Sequence, residues 1–226
     1  MNTTTTDKYR SEEYYRESYL LNVMNLPTST RWMKNYFNAA RCVLPSVDAY
    51  RQRRVLEVGC SYGGFVNLLN QRGFCDVTAA DLNALLFSKE LPNRFLILDL
   101  LARPLSVDRY DLIFAFDVLE HIDDSPTMAQ SIGQLLSAGG VFVFCVPYPH
   151  RKHLLDNNHT NMQYPCFYTN LFRQQGFRLL DMQTVSFVPY VWRWGMPVSL
   201  HRVVESKPFI TEVFFAFQKV DDAARN

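Results

Sequence analysis

A chain of 226 residues that is 48% hydrophobic and 20% charged has the apolar content for one sizeable buried core and is short for two domains. Its 23 basic and 22 acidic residues nearly cancel, so no strong field gathers polyanions and no nucleic-acid partner is expected; the Arg51-Gln52-Arg53-Arg54 run reads as a solvated strand entrance. No apolar run reaches the ~18 residues of a membrane-spanning helix, the polar Met1–Asp7 segment lacks the apolar stretch of a secretory signal, and the five scattered cysteines form no Cys-x-x-Cys pair, which together predict a cytoplasmic protein with reduced thiols and no membrane contact.

Residues 1–50 read as a helical preface. Tyr14, Tyr15, Ser18, Tyr19 and residues 21–23 recur at helical spacings over 11–24, Pro27 breaks the chain, and Thr30 is placed to cap a second helix that runs to Leu44 and stops at Pro45. From residue 53 the pattern becomes a strand–helix alternation. A buried strand at 55–58 leads through a glycine-rich turn into an apolar-periodic helix at 65–71. Further strands are expected at 77–80, ending at Asp81, at 95–98, ending at Asp99, at 110–116, and at 141–146, entered through Gly139-Gly140. Short unbroken apolar strands separated by helical stretches mark a parallel sheet covered on both faces. The rhythm then changes. A helix at 168–175 stops at Gly176, a strand spans 177–185, an aromatic stretch fills 187–209, and an alternating strand follows at 211–219. Two strands joined without a helix predict an antiparallel pair at one sheet edge. The expectation is a single α/β domain over 1–226, with a doubly wound, seven-stranded, mostly parallel sheet, an antiparallel last strand and helices on both faces. Its parts are a helical cap at 1–50, a core at 53–147, and a loop, helix and terminal strand pair at 148–226.

A glycine-rich turn between the first strand and the first helix lets a ligand approach the backbone, because glycine has no Cβ. The run Glu57-Val58-Gly59-Cys60-Ser61-Tyr62-Gly63-Gly64 lacks the Gly-x-Gly-x-x-Gly spacing that seats a pyrophosphate. It also sets a carboxylate two residues before the first glycine. That anion repels a pyrophosphate and suits an ammonium or another cation.

This turn resembles the first motif of the class I S-adenosylmethionine (SAM)-dependent methyltransferases, with Ser61 standing where the family usually has Gly. Four more motifs follow in the family's order: Asp81 at the end of the second strand; Asp99-Leu100 onward to Tyr110-Asp111; Phe116-Asp117-Val118-Leu119-Glu120-His121-Ile122-Asp123-Asp124; and Leu135-Leu136-Ser137-Ala138-Gly139-Gly140 entering the fifth strand. The resemblance spans about residues 53–147 and is strongest with small-molecule methyltransferases. It implies a Rossmann-like fold with SAM as cofactor. Glu57, Gly59, Ser61 and Gly63 would wrap the methionine part, and Asp81 would accept the ribose hydroxyls. An N-cap for a following helix is the alternative role of Asp81. Asp99 would meet the adenine amino group, Leu82 and Leu100 the ring, and Asp117 the neighbourhood of the sulfonium. The Leu-Glu-His triplet implies a structural role for His121, holding the turn over the cofactor.

Ligands in open α/β sheets lie beyond the carboxyl ends of the strands, so the segment after the fifth strand borders the acceptor. It carries His150, His153 and His159 with Asp156, groups suited to proton transfer near neutral pH. Their spacing matches no zinc pattern, and no metal is expected. His159 is the first candidate for a general base, because His-Thr-Asn before a helix resembles a position near the active site in related small-molecule methyltransferases; His150 and His153 are further candidates. The aromatic residues Tyr14, Tyr15, Tyr19, Tyr164, Phe167, Tyr168, Phe187, Tyr190, Trp192 and Trp194 suit a second core, a homodimer contact, or a lid over a flat acceptor. The sequence therefore points to methyl transfer from SAM to a small organic acceptor at O or N. A protein or RNA acceptor, or a SAM-binding partner protein without catalysis, is the alternative.

Overall fold

The computed structural model describes residues 30–85, 87–103, 105, 108–149, 161–187, 199–201 and 210–220. The helix expected over 11–24 and Tyr190, Trp192 and Trp194 lie outside them. Helix α1 spans Thr30–Val43 and stops one residue short of the expected Leu44. Strand β1 (Arg54–Val58) leads into α2 (Gly64–Gln71), followed by β2 (Asp76–Asp81), β3 (Phe95–Ile97) and β4 (Tyr110–Phe116). Helix α3 (Ser125–Leu135) runs directly into β5 (Leu136–Pro147). Helix α4 (Pro165–Gln174), β6 (Phe177–Phe187), β7 (Ser199–His201) and β8 (Glu212–Lys219) complete the order.

Local chemistry explains the boundaries. The Asp124 carboxylate caps α3 by accepting from the Thr127 N–H at 3.0 Å, with Pro126 in the first turn. Pro165 starts α4 in the same way, and Gly176 follows it at φ 83°, the left-handed conformation in which glycine ends a helix. No helix occurs among the described residues between β2 and β3, against the expected strand–helix alternation. That stretch folds back over the glycine-rich turn instead, with the Ser88 N–H donating to the Tyr62 carbonyl at 3.4 Å.

The strands form one sheet in the order β3-β2-β1-β4-β5-β8-β6-β7. Strands β1 to β5 are parallel, and β8 runs antiparallel to both β5 and β6. The seven expected strands are present, and the three-residue β7 adds an eighth beside β6. The antiparallel pair β6–β8 exists as expected, but β8 is interior, inserted between β5 and β6. Helices cover both faces. Under α1 and α2 lie Tyr36, Phe37, Val43, Phe65, Leu112, Phe114, Cys145 and Phe214; under α3 and α4 lie Ile113, Ile132, Phe142, Phe144, Tyr168, Phe172, Phe215 and Phe217.

The second layer is an aromatic stack. Phe144 lies parallel to Phe215 at 4.7 Å and also touches Phe142, Tyr168 and Phe172. Offset rings at these distances add to the burial of their area. Replacing Phe144 with Ala leaves a cavity beneath two helices, and should lower unfolding stability by about 3–5 kcal/mol. A urea titration should show this as a lower midpoint with unchanged slope.

Candidate active site

The carboxyl ends of β1 and β2 are tied together by backbone hydrogen bonds. Gly59 and Cys60 N–H groups both donate to the Ala80 carbonyl, at 2.8 and 3.0 Å. The Ser61 N–H donates to Asp81 Oδ2 at 2.8 Å and the Leu82 N–H to Asp81 Oδ1 at 2.7 Å. Asp81 therefore caps no helix. It braces the glycine-rich turn, and an ionised carboxylate retains lone pairs for further donors. The turn itself is left-handed at Gly59 (φ 73°), Ser61 (φ 50°) and Gly63 (φ 84°). A Cβ on Gly59 would fall 2.3 Å from Val118 Cγ2, and one on Gly63 2.4 Å from Leu91 Cδ1. The backbone is thus open for close approach only because both positions are glycine.

Glu57 is buried at the end of β1, and its Oε2 has no hydrogen-bond partner. Burial pushes its pKa well up against the opposing hydrogen bond from the Val66 backbone, and the Asp81 charge adds to the rise. An orphaned carboxyl oxygen beside a glycine cradle fits a ligand carrying an ammonium group. The remaining cofactor candidates lie along the same edge. Asp99 Oδ1 accepts from the Leu101 N–H at 2.9 Å. Leu100 is buried in the layer under α3, where its carbonyl accepts from Ser131 Oγ. Leu82 is partly buried.

Asp117 follows β4 in a left-handed conformation (φ 53°), which swings its carboxylate back toward α1. Tyr36 Oη donates to its Oδ2 at 2.5 Å, and Cys145 Sγ to its Oδ1 at 3.4 Å. The Glu212 carboxyl, at the start of β8, lies beside it. The donor atoms of Asp117, Cys145 and Glu212 lie within 4.8 Å of one another. Burial, then the charges of Asp117 and Glu120, hold the Glu212 pKa well above the usual carboxylate range. Burial also raises the Tyr36 hydroxyl well above its usual value, with Asp117 adding to it. Sequence reasoning reached Asp117 but missed Tyr36, Cys145 and Glu212. The one local signal was a carboxylate opening the apolar run 213–217.

The histidines proposed from sequence, His150, His153 and His159, lie outside the described residues. The described residues on either side of them are anchored to neighbouring elements. On one side the Tyr148 N–H donates to the Thr211 carbonyl at 2.9 Å. On the other, the Asn161 N–H donates to the Glu120 carbonyl at 2.9 Å, and Asn161 Nδ2 to the Ile122 carbonyl at 2.7 Å and Ser125 Oγ at 2.6 Å. Asn161 itself is thus stapled to the turn after β4.

Glu120 is fully buried in that turn, and neither carboxyl oxygen has a hydrogen-bond partner. His121 Nε2 lies 3.9 Å from its Oε1. Burial, then the Asp117 charge, raises its pKa well above the ordinary 4.5. A carboxyl whose pKa is raised by folding contributes its full stability below its unfolded pKa and loses it as pH climbs through the folded value. Glu120→Gln, which cannot ionise, should therefore leave stability nearly unchanged at pH 4. At pH 8 it should stabilise by about 1–3 kcal/mol, the order of a buried desolvation penalty, read as a raised denaturation midpoint.

Comparison with known proteins bears on this arrangement. Residues 31–182 match the model of a family described as a methyltransferase domain. An uncharacterized protein of Methanocaldococcus jannaschii is 23% identical over 205 residues, covering 88% of this chain and 84% of that protein. The malonyl-[acyl-carrier protein] O-methyltransferase of Enterobacter lignolyticus is 28% identical over 110 residues, covering 47% of this chain and 43% of its own length. Among solved structures, a SAM-dependent methyltransferase from Thermotoga maritima, described as a possible histamine N-methyltransferase, superposes with TM-score 0.65 at 14% identity, over 95% of this chain and 99% of that one. One from Archaeoglobus fulgidus does so with TM-score 0.64 at 17% identity, over 90% and 100%. With the family model covering most of the sheet and the glycine cradle, buried Glu57 and Asp81 in place, the chain belongs to the methyltransferase-domain family, as a class I SAM-dependent methyltransferase.

Proposed function

We propose that the protein methylates a small organic acceptor, at oxygen or nitrogen. When bound, SAM supplies an electrophilic methyl group on a sulfonium. The chain's task is to hold the cofactor, exclude water and align the acceptor. Gly59, Ser61 and Gly63 would line the methionine portion, Glu57 would meet its ammonium group, Asp81 the ribose hydroxyls, and Asp99, Leu82 and Leu100 the adenine. Asp117 borders the place where acceptor and methyl meet. Alignment alone supplies a large part of the rate in such reactions, so few catalytic side chains are needed.

The observation that supports the small-acceptor reading is the anchoring of the described residues that end β5 and precede α4. Tyr148 is held at Thr211 and Asn161 at Glu120, in the turn that follows Asp117. Strand ends and turns tied together this closely around Asp117 suit a small acceptor better than a long macromolecular groove. The near-neutral charge, 23 basic against 22 acidic residues, also argues against an RNA acceptor. The names of the similar proteins include an amine nitrogen acceptor and a carrier-bound malonyl oxygen acceptor, so both elements stay within the reading. His159 lies two residues before Asn161, at most about 7 Å along the chain from that anchor, and is proposed as general base.

Calorimetric titration with SAM, followed by turnover against a panel of phenols, amines and acids, tests this. Tight SAM binding with methylation of protein or RNA in place of every small acceptor would overturn it; binding with no transfer at all would make the protein a non-catalytic partner. Asp81→Ala should weaken SAM binding by about 1–3 kcal/mol, whereas unchanged affinity removes the ribose assignment. His159→Ala should lower turnover by about 10²–10⁴-fold with SAM affinity retained. Full activity in that variant places the base elsewhere.

A further inference from the structure

Two carboxyl groups, Glu212 buried and Asp117 half-buried, meet at the acceptor edge, and among the described residues no positive charge balances them. Glu212 lies opposite Pro147 in the β5–β8 register, so β8 begins where the parallel strands end. Only 8% of Glu212 is exposed, and its Oε2 has no partner. The ionisable groups that face it are Asp117 and Glu120 of the turn after β4, Tyr36 of α1 and Cys145 of β5. None is a base, and among the described residues no Lys, Arg or His is paired with Glu212.

The Asp117 and Glu212 oxygens lie within 4.8 Å of one another, and burial together with the Asp117 charge holds the Glu212 carboxyl toward its protonated form. Tyr36 and Cys145 already donate to the Asp117 oxygens, and a metal ion would have to displace both donors. Glu212 Oε2 is left as an unfilled acceptor atom among the described residues. A cationic N–H donor would fill it and supply the positive charge the two carboxyls lack.

We propose that the Asp117–Glu212 pair is the acceptor-recognition site and that the acceptor is a protonated amine. This rests on methyl transfer to a small acceptor as read above, and narrows it to nitrogen. Charge and hydrogen bonding would hold the ammonium group at Glu212 Oε2. One N–H proton passes to a carboxylate oxygen of the pair. The freed nitrogen lone pair forms the N–CH₃ bond as the S–CH₃ bond breaks, leaving a neutral thioether and an N-methylammonium product. The pair then releases its proton to solvent. A carboxylate acceptor at this edge would meet like charge.

The test uses three ligands on one ring: tyramine (cation), 4-ethylphenol (neutral) and 3-(4-hydroxyphenyl)propionate (anion). Each is titrated calorimetrically into the full chain saturated with S-adenosylhomocysteine. Tyramine should bind about 10- to 100-fold more tightly than 4-ethylphenol, the range of a charge-assisted hydrogen bond, with the propionate weakest. Glu212→Gln should erase the preference for the cation, and Glu212→Asp should keep it, whereas a merely structural role would lower stability in both variants without changing the order. Equal or undetectable binding of all three ligands, or the same preference in Glu212→Gln, overturns the proposal. So does one-to-one Zn²⁺ binding that Glu212→Gln abolishes, which would make the cluster a metal site. SAM affinity measured on the same samples separates the readings. Retained SAM binding with no tyramine preference removes this inference alone, and lost SAM binding removes the cofactor site with it.

Discussion

The Asp81 carboxylate is the joint on which the site depends. One oxygen holds the Ser61 N–H of the glycine-rich turn and the other the Leu82 N–H, so the end of β2 braces the turn after β1. The Ala80 carbonyl reinforces this by taking the Gly59 and Cys60 N–H groups. Left-handed backbone at a non-glycine residue costs about 1–2 kcal/mol, and Ser61 adopts it here. A charge-assisted hydrogen bond of similar size offsets that cost. The parallel order β2-β1-β4 has the helices after β1 and β4 on opposite faces, so the braced turn stands next to the point where the chain changes faces.

The acid groups at the same edge illustrate a different balance. Glu57, Glu120 and Glu212 are all buried with at least one oxygen unpartnered, a condition that stable cores avoid. Each comes from a different element, β1, the turn after β4, and β8, yet all gather where the strands end. The interior below them is rich in aromatic and aliphatic side chains. The low dielectric that makes these carboxyls hard to ionise also strengthens whatever interaction a bound charge makes with them.

How much of this was legible in the sequence follows from the range over which each feature is encoded. Strands β1 to β5 stood out because a parallel strand buried on both faces is an unbroken apolar run. The glycine-rich turn and Asp81 were legible because backbone geometry at a tight turn restricts residue type locally. The stretch after Asp81 was less legible: its pattern left open whether Asp81 would cap a helix, and the structure instead turns both Asp81 oxygens to the Ser61 and Leu82 N–H groups. The Tyr36–Asp117 hydrogen bond joins residues 81 positions apart, and no periodicity reports it. Likewise, Glu212 looked like the polar start of an edge strand, because nothing local said that β8 is interior. Pairing register is a property of two strands, and the second lies far away in the chain.

The interior position of β8 also bears on how the molecule is made. Strands β1 to β5 can pair as they emerge from a ribosome, each beside one already in place. Strand β6 cannot, because its partner on the β5 side comes after it in the chain. Until residues Glu212–Lys219 thread between them, β5 presents an apolar, unpaired edge over Val141–Pro147. Such edges recruit other chains, and long-range pairings form slowly. Nascent and refolding molecules should therefore be most prone to aggregate in the interval before the eighth strand closes the sheet, which makes its insertion the step where a chaperone would have the most to shield.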